Sequence, residues 1–78
     1  MTDAEFLRAI GEALYGPQWQ SALARDLDVS DRTMRRWLSG GAPLPAGLAD
    51  DLLRLCDARI GTLSDLRVNL IAAAHTTP

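Results

Sequence analysis

A chain of 78 residues with a net charge of -2 fits one domain, and a domain that small buries only about 60% of its unfolded surface, so a partner subunit would help it. Its 47% apolar content is that of a globular protein, and a single cysteine, Cys56, excludes an intramolecular disulfide framework and a cysteine-rich metal site. No apolar run approaches the ~20 residues of a membrane span and no basic leader opens the chain, so the expected setting is cytoplasmic, with no membrane partner.

Thr2 followed by Glu5 matches a capping box, and Phe6, Leu7, Ile10 and Leu14 recur at helical spacing until Gly16 and Pro17. This predicts a first helix over residues 3 to 15. Pro17 suits a first helical turn, and Trp19, Leu23, Ala24 and Leu27 keep the 3.6-residue period, so a second helix is expected over residues 17 to 27. Asp28, Val29 and Ser30 interrupt it: Asp tolerates a left-handed turn, and Ser30 is a good N-cap for a third helix from Asp31 to Ser39. Gly40 and Gly41 stop that helix, and Ala42 to Pro45 reads as an extended connector.

A fourth helix is expected to begin near Ala46. From Leu48 the apolar positions Leu52, Leu55, Cys56, Ile60, Leu63, Leu66, Leu70 and Ile71 keep close to a three-four rhythm, compatible with one helix to about residue 74. Gly61 costs about 1 kcal/mol inside a helix, and Thr62 or Ser64 could cap a separate fifth helix, so one helix and two both stand. The tail His75 to Pro78 is expected to fray. The fold class is all-α: four to five helices in one domain, residues 1 to 78, with a central helix-turn-helix at 17 to 40 and a dimerising segment at 46 to 74.

Charge is not spread evenly. Residues 17 to 40 carry +1 while the segments before and after carry -2 and -1, and Arg32, Arg35 and Arg36 fall within five positions. All eight basic residues are arginine, which suits bidentate contacts. With Met34 taken as the origin at about 100° per residue, Trp37 and Leu38 lie within roughly 60° of it, while Arg32, Arg36 and Ser39 point nearly opposite. A ridge of that kind near a helix N-terminus reaches base edges when the helix enters a DNA major groove. Arg32 and Arg36 are therefore the base-reading candidates, each able to donate two hydrogen bonds to guanine O6 and N7. Arg35 follows Asp31 by four residues, so it either pairs with that acid or meets a phosphate, and Thr33 on the other flank could bond a phosphate too. Gln20 and Ser21, in the first turn of the second helix, are the second backbone anchor, with Ser30 and Ser39 as auxiliary contacts.

The segment QSALARDLDVSDRTMRRWL, from Gln20 to Leu38, resembles the helix-turn-helix of lambda-repressor-like (Cro and XRE type) DNA-binding domains, over roughly residues 4 to 60. Within that family, SDRTMRRWLSG is most similar to small phage-type regulators such as the anti-CRISPR-associated repressors. The resemblance implies that the positions of Gln20, Ser21, Arg32 and Arg36 contact DNA. This chain departs from the pattern at Asp28, where glycine is usual, which adds an acid near the phosphates.

The expected function is sequence-specific binding of an inverted-repeat double-stranded DNA site by a homodimer, repressing by occupancy and pairing through Ile60, Leu63, Leu66, Leu70 and Ile71. The alternative is a protein-binding module, an antitoxin or phage adaptor, favoured by the acidic balance outside residues 17 to 40. Trp19 and Trp37 fall on apolar faces and are expected in the core, and Cys56, among leucines, as a buried structural thiol. His75 has no histidine or second cysteine to complete a metal site, and no base partners a nucleophile, so no metal, cofactor, small-molecule ligand or enzymatic activity is expected.

Overall fold

The computed structural model describes residues 2 to 76, which form four α-helices: α1 Asp3–Tyr15, α2 Trp19–Asp26, α3 Asp31–Ser39 and α4 Leu48–Thr76. The all-α architecture read from the periodicity is the one observed. Local chemistry sets each boundary. The Thr2 hydroxyl accepts from the Glu5 N–H at 3.2 Å and opens α1, and Ser30 does the same for α3 by accepting from the Thr33 N–H at 3.1 Å.

Four boundaries differ from the sequence expectation, both ends of α2, which closes at Asp26 rather than residue 27, and both ends of α4. Helix α2 starts at Trp19, not Pro17, because Gly16 (φ 83°, ψ -158°) leaves α1 in an extended step and Pro17 and Gln18 turn the chain first. Helix α4 starts at Leu48, after a turn closed by the Leu48 N–H on the Pro45 carbonyl at 3.1 Å. It then runs unbroken through Gly61 to Thr76, so His75 and Thr76 are helical; Thr77 and Pro78 lie outside the described residues. The anticipated cap at Thr62 does not form, because its hydroxyl donates to the Ala58 carbonyl one turn back, at 3.1 Å.

Helix α1 packs against α2, α3 and the start of α4, and α2 packs against α3. Leu7, Leu23 and Met34 lie at the centre with no measurable exposure, ringed by Trp19, Ala24, Trp37, Leu48 and Leu52. Both tryptophans are core residues, as their apolar faces require. Where α1 meets α2 the indole of Trp19 lies flat over Gly11, which is buried and leaves no room for a side chain.

Beyond Cys56, helix α4 leaves this core. All residues from Asp57 to His75 are exposed, and the molecule measures 57 × 24 × 23 Å. Its radius of gyration is 16.0 Å, against about 11.5 Å for a compact chain of this length. A projecting helix accounts for the excess, and Ile60, Leu63, Leu66, Val68, Leu70 and Ile71 along it are each at least 44% exposed.

Candidate nucleic-acid interface

The turn between α2 and α3 begins with a double backbone closure: the Asp28 N–H donates to the Arg25 carbonyl at 3.1 Å and the Val29 N–H to the Ala24 carbonyl at 2.9 Å. This is the Schellman arrangement, which requires a left-handed residue between helix and exit, and Asp28 supplies it with φ 58°. Ala24 is 1% exposed where the helices approach, and Leu27 and Val29 tuck partly into the core on either side of the turn. Gly40 repeats the closure at the end of α3, with φ 79° and the Gly41 N–H on the Arg36 carbonyl at 2.8 Å.

Helix α3 is thus fixed at both ends and anchored on one side by Met34 and Trp37. Arg32, Arg35 and Arg36 are all exposed, as is Ser39, while Thr33 is half-buried. Among the described residues the ion pair present is Arg54 with Asp51, so Arg35 is not held by Asp31 and its guanidinium stands free beside the other two. Ser30 and Thr33 are engaged locally: the Ser30 hydroxyl accepts from the Thr33 N–H and donates to the Thr33 hydroxyl at 3.0 Å. Ser39 donates to the Arg36 carbonyl at 3.2 Å. These three polar groups shape α3, whereas among the described residues the guanidinium groups of Arg32, Arg35 and Arg36 make no hydrogen bond or ion pair.

Gln20 and Ser21 are exposed in the first turn of α2, whose N-cap residue Gln18 makes no side-chain capping bond, unlike Thr2 and Ser30. The start of α2 therefore presents both side chains and backbone N–H groups without a side-chain acceptor.

Behind this surface lies a polar brace that the sequence did not announce. The Tyr15 hydroxyl, at the end of α1, donates to Asp26 at the end of α2, and the Arg59 guanidinium of α4 sits 5.8 Å above the Tyr15 ring. Partial burial, then the hydrogen bond and the negative charge of Asp26, push the phenol up to about 12 against the opposing pull of Arg59 and Arg25. One side chain thereby ties together the helix that leads into α2, the end of α2 and the first projecting turn of α4. Its three residues are distant in sequence, so no spacing rule links them.

On the opposite side, α1 and α4 enclose an open groove of about 480 Å³ walled by Phe6, Ile10, Leu44, Leu48, Leu53 and Cys56. Phe6 and Leu53 are more than half exposed there. Cys56 is half-buried on this wall rather than sealed in the core as expected, because α4 turns only Leu48, Leu52 and Leu55 inward. Among the described residues no three His, Cys, Asp or Glu side chains gather as a metal site would require, and no helix is long and apolar enough to cross a membrane.

Comparison with protein-family models, with curated proteins and with solved structures finds no match.

Proposed function

We propose that this protein is a sequence-specific double-stranded DNA-binding regulator, acting as a homodimer and repressing by occupying its site. The observation that carries the reading is the free guanidinium ridge on α3: Arg32 and Arg36 exposed opposite Met34, with Arg35 exposed to one side of them, on a helix held at both ends. A rigid helix with bare arginines on its outer face has the shape and charge to enter a major groove, with Arg32 and Arg36 reading guanine edges. Arg35 is placed for a phosphate, as are Gln20 and Ser21 at the open start of α2. The likeness of the segment Gln20 to Leu38 to lambda-repressor-like domains supports the same reading.

The exposed face of α4 supports pairing of two copies through Ile60, Leu63, Leu66, Leu70 and Ile71. Selection of bound sequences from a random duplex pool tests binding, symmetry and base preference together. The expected result is an inverted repeat with guanine in each half-site. Arg32→Ala should then relax base preference, and Ser21→Ala should weaken all sequences alike. A protein-binding adaptor is the competing reading, supported by the apolar groove between α1 and α4; absence of any duplex binding at low salt would favour it.

A further inference from the structure

The projecting part of α4 carries a stricter pattern than a general apolar stripe. Leu53, Cys56, Ile60, Leu63, Arg67 and Leu70 alternate at spacings of three and four, which makes a single coiled-coil seam along one side of the helix. Leu53, Ile60, Leu63 and Leu70 are between 58% and 69% exposed. This seam is continuous with the groove on the body, because Leu53 and Cys56 belong to both. One charged residue, Arg67, interrupts it.

Arg67 decides which way a second copy lies. In a parallel pair equivalent positions face each other, so Arg67 would be set against the partner's Arg67 in the seam, a like-charge contact with no acid on the same level. Reversing one helix removes that clash. With Ile60 against the partner's Leu63, Leu53 meets the partner's Leu70, and Arg67 meets the partner's Cys56 with the partner's Asp57 beside it. The four large apolar seam positions, Leu53, Ile60, Leu63 and Leu70, then find apolar neighbours, and the one cation finds an acid.

We infer that the occupant of this face is a second copy of the chain in antiparallel register, with the end of each α4 lying over the other copy's groove between α1 and α4. In this register the partner's Leu70 reaches Leu53, so its last turns cover the apolar wall that Phe6, Ile10 and Leu53 leave open. The anchoring turns at Leu48 to Leu52 of the two copies are then separated by about 34 Å along the axis, at 1.5 Å of rise per residue. The inference rests on the homodimer of the proposed function and fixes its geometry, which that reading left open.

The native cysteine makes the test direct. Antiparallel pairing holds Cys56 far from the partner's Cys56 but level with the partner's Arg67, within the 4.4 to 6.8 Å Cα separation of typical disulfides. Light scattering should give a dimer. Under mild oxidation the wild-type protein should stay uncrosslinked on a denaturing gel, Arg67→Cys should form a covalent dimer, and Arg67→Cys with Cys56→Ser should not. Arg67 is exposed, so these changes leave the body folded, as circular dichroism will verify. A crosslink through Cys56 in the wild type, which keeps Arg67, would establish the parallel arrangement and overturn the inference. A dimer that Arg67→Cys does not crosslink would overturn the register. A monomer by light scattering would overturn the homodimer reading itself.

Discussion

Alanine in place of Gly11 should destabilise the protein by about 2 kcal/mol, although the same change in an open stretch of helix stabilises. Gly11 lies inside α1, where alanine is worth about 1 kcal/mol more than glycine. A Cβ built there falls within 3 Å of three atoms of the Trp19 indole, including Cζ3 at 2.8 Å. Trp19 is 3% exposed and belongs to the same buried cluster as Leu7 and Leu23, so a ring pushed off Gly11 must move within the core rather than into solvent. Overpacking of that severity costs about 3 kcal/mol, leaving the net loss near 2 and a fall in Tm of roughly 8 to 16 °C for a domain of this size. Gly61, with nothing within 4 Å of a built Cβ, is the internal control: Gly61→Ala should gain up to about 1 kcal/mol. Urea unfolding followed by tryptophan fluorescence, at one fixed protomer concentration, measures both. If Gly11→Ala proved as stable as the wild type, the close seating of α2 on α1 would be wrong, and with it the placement of the helix that braces α3.

Two further outcomes test the turn and the brace. Asp28→Gly should stabilise by about 0.5 to 1 kcal/mol, since glycine takes the left-handed φ without strain, and under the proposed function should tighten duplex binding by removing an acid beside the phosphates; lost stability in urea would count against the turn. Tyr15 is the single tyrosine, so ultraviolet titration reads its ionisation directly. The folded phenol titrates near 12, above its ordinary 10.0, so its contribution is complete below pH 10 and is lost as pH climbs from 10 toward 12. Tyr15→Phe should lack that alkaline decline and unfold about 1 kcal/mol more easily at neutral pH, with the loss of a bond to a carboxylate at a half-exposed site. A normal titration near 10 would dissolve the brace.

The parts legible in the sequence are those whose cause is local. Thr2 and Ser30 fix the starts of α1 and α3 because a capping hydroxyl acts over three residues, and Met34 and Trp37 fix the buried side of α3 because a period of 3.6 leaves one choice. The start of α2 is not legible from Pro17, which fits a first helical turn equally well inside or just ahead of the helix; the positive φ of Gly16 before it settles which. Gly61 looked like a break because glycine and two hydroxyls together resemble a helix end, yet the Thr62 hydroxyl finds its acceptor within the helix. Gly11 and the Tyr15, Asp26, Arg59 brace were not legible, since each depends on how helices distant in sequence come together.

The net charge of -2 opposes a nucleic-acid reading only if all charges act at the same range. Helix α4 spans 29 residues, about 44 Å, whereas exposed charges are screened beyond about 8 Å at physiological ionic strength. Asp57 and Asp65 lie along that projection, outside the screening distance of the arginine ridge for most of its length. Asp51 is paired with Arg54, and Asp26 accepts the Tyr15 proton on the brace side. On α3 itself and in the turn that leads into it, two acids remain. Asp31 occupies the first turn of α3, where the helix dipole favours it, and Asp28 stands in the turn itself. Local balance at α3 is thus three free guanidinium groups against two carboxylates, and Asp28 is the one whose position no helix terminus stabilises. On this accounting the residue that departs from the lambda-repressor-like pattern, rather than the acidity of the whole chain, sets how strongly a duplex would be held.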